Sequence, residues 1–500
     1  MSARDLLIEY GMSHPETLLA AWLPRQRWYG GQGEPAIAIA DSGLLVDDGT
    51  VVIFTLLEAR DGAAMVRYHV PLGVRPIDQV WKSVILSERV IAEGIRDGTP
   101  VGIYDALVDA EAALKLWSVV DTDREVGTAA GRVRGHNYGS DAGGESSDAV
   151  RPLAREQSNT SLVLADRELM KCFRRVEAGV SPELEMTQAL RAAGFSNIAA
   201  PLGSLEYLPR SGEPSLLALI QPFLPNGTEG WALALTSLRD LYAEAELAGP
   251  RDEAERRRAV EEQGAAFTPE AARLGEVTAA MHLALCDEAM PPGMRGEVVD
   301  RRMLTTWADE QTAELDRLLG GDHAALEPLR ARRAAVAGRF DALRSLEGGD
   351  LAIRIHGDYH LGQVMRIDEG WVVLDFEGEP DRPLAERRRL SSALRDVAGM
   401  LRSFDYAAAA ALAERSKPGG EEWQALLQQG EAWAEANRAA FWNAYTARVD
   451  GSPLLPPGDA AVTLLRAFEL QKAVYEVGYE LGHRPDWLLI PLQFLLGTAP

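Results

Sequence analysis

The segment Arg354-Ile355-His356-Gly357-Asp358-Tyr359-His360-Leu361-Gly362-Gln363 is followed after one turn by Trp371-Val372-Val373-Leu374-Asp375-Phe376-Glu377. Two histidines, two aspartates, a glutamine and a glutamate are thereby compressed between short apolar runs. Singly, each has a structural explanation, a satisfied buried histidine or a capping aspartate. Together they suit phosphoryl transfer, which needs one carboxylate to orient and deprotonate the incoming hydroxyl and oxygen ligands to hold Mg²⁺ against phosphates. On this reading Asp358 is the base, Gln363 and Asp375 are metal ligands, and Glu377 is a further carboxylate beside them. His356, Asp358 and His360 would also suit a metalloenzyme, but no HExxH helix or cysteine cluster accompanies them.

Phosphoryl transfer from ATP also calls for a strand lysine on the phosphates and a helix glutamate that holds it. Lys171 and Glu185 stand at such positions. The preceding turn, Gln157-Ser158-Asn159-Thr160-Ser161, lacks glycine but offers hydroxyls, an amide and backbone N–H groups to phosphate. Neither a Walker A sequence nor a GxGxxG turn before a helix is present, which removes the main support for P-loop and dinucleotide-binding readings.

The elements that must position these groups follow from periodicity. Thr50 to Leu57 and Met65 to Pro71 read as strands, with turns at Asp48-Gly49 and Asp61-Gly62. Arg134 to Arg155, rich in Gly, Ser and Asp, reads as a loop or linker and marks a domain boundary. Ser161 to Ala165 and Glu168 to Phe173 read as a hairpin around a polar Asp-Arg turn, Pro182 to Ala193 as a helix, and Leu216 to Phe223 as a strand. Glu422 to Arg448 and Thr463 to Leu481 have the period of amphipathic helices.

The 500 residues can bury a large core, and a formal charge of -24 opposes nucleic acid and anionic lipid. The short runs Arg256 to Arg258 and Arg387 to Arg389 read as solvated helix faces. Two cysteines, Cys172 and Cys286, both in apolar surroundings, suit a reducing compartment. An acidic N-terminal stretch and the lack of a membrane-length apolar run lead us to expect a soluble cytoplasmic protein.

HGDYHLGQV followed by VLDFEGEP resembles the catalytic block of the aminoglycoside-phosphotransferase-like branch of the protein-kinase-like fold. Further segments resemble the actinobacterial maltokinases: WLPRQRWYGGQG from Trp22, GIYDAL from Gly102, EQSNTSLVL from Glu156, LMKCFRRVEAG ending at Gly179, QPFLPNGTEGW from Gln221, and ELQKAVYE from Glu469 before HRPDWLLIPL. The resemblance implies an α+β bilobal kinase-like fold with an N-terminal cap subdomain over residues 1–133, an intermediate subdomain over 134–226 with the nucleotide hinge at Gln221 to Leu224, and a mostly helical C-terminal lobe over 227–500.

It further implies ATP and Mg²⁺ as cofactors, and maltose phosphorylated to maltose 1-phosphate for α-glucan synthesis. A trehalose-to-maltose isomerase is the partner it suggests, with neither nucleic acid nor membrane. Asp358 would be the base, Gln363 and Asp375 the metal ligands, and Ser158 to Ser161, Lys171, Glu185, Gln221 and Leu224 the nucleotide set. His360, Glu469, Lys472, Tyr475 and Glu476 would join Asp358 on the sugar; the last four share a helical face at spacings of three, four and seven, although an exposed Glu-Lys face has the same pattern. Gln471 departs from the family, which more often carries an acid there. A glucosamine or other hexose kinase on the same scaffold stays open, as does a catalytically weak interaction module. The tryptophans, Trp28, Trp231, Trp433, Trp442 and Trp487 among them, read mainly as core, with sugar stacking as the other use.

Overall fold

The computed structural model describes residues 1–31, 33–61, 64–83, 89–141, 146–153, 158–248, 252, 254–255, 258, 267–416 and 422–497. The chain packs as two units, residues 1–188 with 199–225, and residues 189–198 with 226–500. Gly62 of one expected turn, Arg256 and Arg257 of one arginine run, Gln157 of the expected phosphate turn and Glu156 just before it lie outside the described residues.

In the first unit, β-branched and aliphatic runs form an antiparallel sheet of β1 (Ala36–Asp48), β2 (Thr50–Asp61), β3 (Ala64–His69), β4 (Leu72–Pro76), β5 (Val90–Arg96) and β6 (Thr99–Asp105). The order is β1-β2-β4-β6-β5, with β3 also on β2. Gly49, at φ +87°, makes the expected turn between β1 and β2. A second sheet has the order β7-β8-β12-β13-β11-β10-β9, from β7 (Glu125–Gly127), β8 (Gly131–Asn137), β9 (Val150–Pro152), β10 (Asn159–Leu164), β11 (Glu168–Phe173), β12 (Gly203–Pro209) and β13 (Ser215–Pro222). The expected hairpin is β10 and β11, turned by Ala165 and Asp166 in the left-handed region at φ +51° each.

The reading of Arg134 to Arg155 as a linker is corrected at both ends. Arg134 to Asn137 belong to β8, paired with β12, and Val150–Pro152 form the edge strand β9. The window starts one residue past the fully buried Val133 and so missed the apolar anchor of β8. It also hid Gly135, where an added Cβ would meet the Val119 carbonyl oxygen at 2.2 Å. Nor does packing break there. Helix Ala110–Asp121 puts Leu116, Trp117 and Val120 into one core with Val52 and Phe54 of the first sheet and Leu162, Met170 and Ile220 of the second. A buried ion pair, Arg174 to Asp105 on both carboxylate oxygens, joins the same parts, with the guanidinium 4.7 Å from the Trp28 ring centre.

The second unit is mostly helical, as its periodicity suggests. Two of its helices, Trp423–Val449 and Asp459–His483, cover the expected stretches. Its small sheets are β14 (Thr228–Glu229), β17 (Val364–Ile367) and β18 (Gly370–Val373) in the order β14-β17-β18, and β15 (Glu297–Val298), β16 (Leu351–Ile353) and β19 (Ser391–Ser392) in the order β15-β16-β19. Asn197 clamps the β17/β18 hairpin: its side-chain amide donates to the Trp371 carbonyl at 2.8 Å, and its own carbonyl accepts from the Val373 N–H at 2.8 Å. Among the described residues no helix is long and apolar enough to cross a membrane.

The second arginine run is only partly a solvated face. Arg389 is exposed, but Arg387 and Arg388 are half-buried, and Arg387 donates to the Glu377 carbonyl at 3.1 Å. Cys172 is buried as expected, whereas Cys286, one residue past the end of helix Thr268–Leu285, is half-buried.

Helix Thr268–Leu285 lies close against helix Trp423–Val449 because Gly275 carries no side chain; an added Cβ would stand 2.3 Å from the Phe441 carbonyl oxygen. Backbone cannot yield as a flexible side chain can. Gly275→Ala should therefore destabilise the fold by about 1–3 kcal/mol, seen as a lowered midpoint in thermal denaturation.

Candidate active site

Residues 354–363 cross from β16 to β17 without regular structure until a short 3₁₀ turn at Leu361–Gln363, so their backbone groups need outside partners. Asp396, buried in the first turn of helix Leu394–Arg415, supplies the main one. Its carboxylate accepts from the His356 N–H at 2.7 Å and the Gly357 N–H at 2.9 Å, and lies 3.2 Å from His282 Nε2. Burial pushes this carboxyl up; the hydrogen bond from His282, the charges of His282 and His356 and the Gly357 N–H outweigh it and hold it below the ordinary aspartate value.

Other anchors fix the rest of the loop. His356 Nε2 lies 2.8 Å from the Leu374 carbonyl, the Leu361 N–H donates to Ser403 Oγ at 3.2 Å, and the buried Tyr359 hydroxyl meets Thr278 Oγ1 at 2.8 Å. The same helix presents Gly399 to the loop, where a Cβ would come within 2.6 Å of the Tyr359 carbonyl oxygen.

Asp358 lines a cavity of about 430 Å³. Its Oδ1 accepts from Lys472 Nζ at 3.0 Å, and Oδ2 lies 3.8 Å from His360 Nε2. Lys472 also donates to Glu379 Oε1 at 2.9 Å. Burial disfavours the ammonium, but Asp358 and Glu379 more than compensate and raise its pKa. Trp231, Tyr406, Tyr475, Tyr479 and Trp487 give the cavity aromatic walls, and Glu476 and Glu480 line it as well. Such a cavity, apolar faces with a few placed polar groups, fits a small polyhydroxylated ligand.

Of the residues expected on the sugar, Asp358, His360, Lys472, Tyr475 and Glu476 line this cavity. Glu469 does not. It is buried against Arg438, which also binds Asp405 at 3.0 Å; Asp405 lies 3.4 Å from the buried Arg402, and Arg402 binds Glu476 at 2.8 Å. These alternating charges brace the helices rather than present Glu469 to the cavity. Burial pushes the Glu476 carboxyl up despite Arg402. Gln471 uses both ends of its amide, donating to Glu314 at 3.2 Å and accepting from Gln311 at 3.3 Å. An acid at 471 would face Glu314 with like charge. Among the tryptophans, Trp433 packs in the core on Phe267, while Trp231 and Trp487 face one another across 6.3 Å.

The expected metal ligands stand side by side, Gln363 Nε2 3.3 Å from Asp375 Oδ2. Asp375 adopts φ +63°, two residues past β18, and the Leu374 N–H ties to the Gln363 carbonyl at 2.9 Å. An amide and a carboxylate suit Mg²⁺, which keeps few protein ligands and takes the remainder from phosphates and water. Among the described residues no cluster of three or more His, Cys, Asp or Glu could hold a metal on its own.

The nucleotide candidates lie in the first unit. Ser158 is exposed, and Asn159 and Thr160 at the start of β10 are half-buried. Thr160 Oγ1 accepts from Arg174 Nε at 2.8 Å. Ser161 pairs in register with Lys171, and both are buried, the ammonium 5.3 Å from the Phe173 ring centre. Gln221, in β13, donates to Glu183 at 3.3 Å and to the Ala199 carbonyl at 3.0 Å, and Leu224 follows half-buried. Glu185 is half-buried on helix Pro182–Ala192, whereas Glu183 is fully buried.

Glu183, Asp396, Glu379 and Arg402 were not singled out from sequence. A local signal exists only for Glu379, in the GEP that closes the catalytic block.

Comparison with known proteins agrees with this architecture. Residues 22–109 match the maltokinase N-terminal cap domain and residues 149–378 the phosphotransferase enzyme family. Over 357 residues, 70% of this chain and 73% of the relative, it is 29% identical to a glucosamine kinase of Streptacidiphilus jiangxiensis. A glucosamine kinase of Mycolicibacterium smegmatis is 29% identical over 343 residues, 68% of this chain and 77% of the relative. A crystal structure of glucosamine kinase superposes with a TM-score of 0.64 at 24% identity, covering 96% of this chain and 99% of that one. A complex of glucosamine kinase with glucosamine, ADP and inorganic phosphate gives 0.63 at 22%, covering 97% and 99%. The chain has the kinase-like phosphotransferase fold with an N-terminal cap and a helical C-terminal region.

Asp396→Ala strands two loop N–H groups and His282. We expect a loss of about 2–5 kcal/mol, read as a lowered melting temperature, together with a fall in turnover of about 10²-fold from the misplaced loop. A second outcome concerns pH. Burial pushes the Glu379 carboxyl up, but Lys472, Arg395 and Arg382 bring it down to about 2, below the ordinary 4.5. Its stabilisation is therefore complete above pH 4.5 and lost as pH falls toward 2. Melting temperatures of the wild type and Glu379→Gln should differ most near neutrality and converge over that acid range.

Proposed function

We propose that the chain transfers the γ-phosphoryl group of ATP to the anomeric hydroxyl of maltose, giving maltose 1-phosphate. The observation that carries this reading is the charge state of the cavity. Of the four acids that line it, Asp358 is matched by Lys472, Glu476 by Arg402, and Glu480 by Arg484 at 2.8 Å, while Glu229 is exposed. An uncharged sugar enters without disturbing these pairs, whereas an amino sugar's ammonium would compete with Lys472 for Asp358. The match of residues 22–109 to a maltokinase cap supports the same choice. By the resemblance, a trehalose-to-maltose isomerase supplies the acceptor and α-glucan synthesis consumes the product.

In this reading Asp358 Oδ2 orients the acceptor hydroxyl and takes its proton while Lys472 restrains Oδ1. The aromatic walls carry the sugar faces and hold the hydroxyl in line. Gln363 and Asp375 would hold Mg²⁺, which would supply positive charge against the phosphoryl oxygens. Ser158 to Ser161, Lys171, Glu185, Gln221 and Leu224 take the ATP.

A second reading, a glucosamine kinase, is favoured by the two relatives of that name at 29% identity. Initial rates of ADP release with Mg²⁺-ATP separate the two. Maltose should stimulate the wild type and glucosamine should not; selective stimulation by glucosamine would overturn the maltose assignment and keep the fold. Asp358→Asn should retain nucleotide binding and lose about 10²–10⁴-fold in turnover, and wild-type turnover in that variant would remove Asp358 from its role.

A further inference from the structure

Glu379 is 3% exposed and is absent from the lining of the cavity that holds Asp358. A buried carboxylate is costly unless paired, and this one meets three cations. Oε1 accepts from Lys472 at 2.9 Å, while Oε2 accepts from Arg382 Nε and lies 3.5 Å from Arg395. Arg382 in turn binds Glu314 at 3.2 Å, so the cluster is fastened to helix Arg301–Leu319. The carboxylate is fixed from its far side.

The ammonium it grips is the one that touches the catalytic loop. Lys472 uses one N–H on Glu379 and another on Asp358 Oδ1, and its four-carbon stem offers no rigidity of its own. Without Glu379, the Tyr475 ring, 4.7 Å from the ammonium, and the open cavity offer Lys472 other places to settle. Asp358 would then lose the partner that sets its carboxylate plane.

We infer that Glu379 is a positioning residue for phosphoryl transfer: it fixes Lys472 so that Lys472 orients Asp358 toward the acceptor hydroxyl. This rests on Asp358 being the base, as proposed above. Glu379 touches neither the acceptor nor the phosphates in this role; its effect is transmitted through one ammonium.

The test is steady-state ADP release with Mg²⁺-ATP and maltose or glucosamine, whichever the wild type uses. The variants are Glu379→Gln, Glu379→Asp, Lys472→Met, the double variant Glu379→Gln/Lys472→Met, and Asp358→Asn. Glu379→Gln should lower kcat by about 10- to 100-fold with a smaller change in the sugar KM, and Glu379→Asp, which keeps the charge, should recover part of the loss. The double variant should match Lys472→Met within about 2-fold, because the ammonium is the link from Glu379 to Asp358, and the remaining cations, Arg382 and Arg395, pair with Glu379 on its far side. If Glu379→Gln fails to fold, Glu379→Asp replaces it in the cycle.

Multiplicative losses in the double variant, or a Glu379→Gln kcat within about 2-fold of wild type while Asp358→Asn is inactive, overturn this inference alone. Full turnover in Asp358→Asn, or no sugar-stimulated turnover in the wild type, overturns the base assignment and this inference with it.

Discussion

The loop that carries Asp358 has no regular structure of its own across that residue, and its shape depends on one buried carboxylate. Asp396 collects two consecutive backbone N–H groups and a histidine while standing in the first turn of a helix whose residues are mostly buried. Because a helix in that setting has little freedom, the loop inherits its rigidity. The carboxylate is stable in burial only because every partner donates to it. Loop and helix are thus specified together, and the position of Asp358 follows from neither alone.

The same economy recurs around the cavity. Four acidic or basic residues of one helix, Glu469, Lys472, Glu476 and Glu480, each engage a different partner: Arg438, Asp358 with Glu379, Arg402, and Arg484. One face of this helix therefore binds the bundle together and the adjoining face shapes the cavity. Buried ion pairs add little net stability compared with apolar packing, but they fix geometry tightly because any displacement exposes an uncompensated charge. For the proposed alignment of one sugar hydroxyl, geometry matters more than stability.

How much of this was legible beforehand depended on sequence distance. The β10/β11 hairpin, the long C-terminal helices and the crowding of Asp358, Gln363 and Asp375 were readable because each pattern lies within a few turns or one hairpin. Asp396 was not, since its partners stand 39 to 114 residues before it and it resembles an ordinary first-turn aspartate. Spacing put Glu469 on the face of Lys472 and Glu476, but a helical face is wide enough for one edge to meet Arg438 while the other meets the cavity. Strand β8 was hidden because its glycine, required where the Val119 carbonyl comes close, reads in a composition window as loop.

The central claim, that the Asp358 cavity delivers an uncharged sugar's anomeric hydroxyl to ATP, is tested most directly by phosphorus NMR of the reaction of the purified chain with Mg²⁺-ATP and maltose. The account predicts a new phosphomonoester resonance coupled to the anomeric proton, accumulating in step with ADP. Inorganic phosphate as the only new species, or a phosphoester at another carbon, would contradict it.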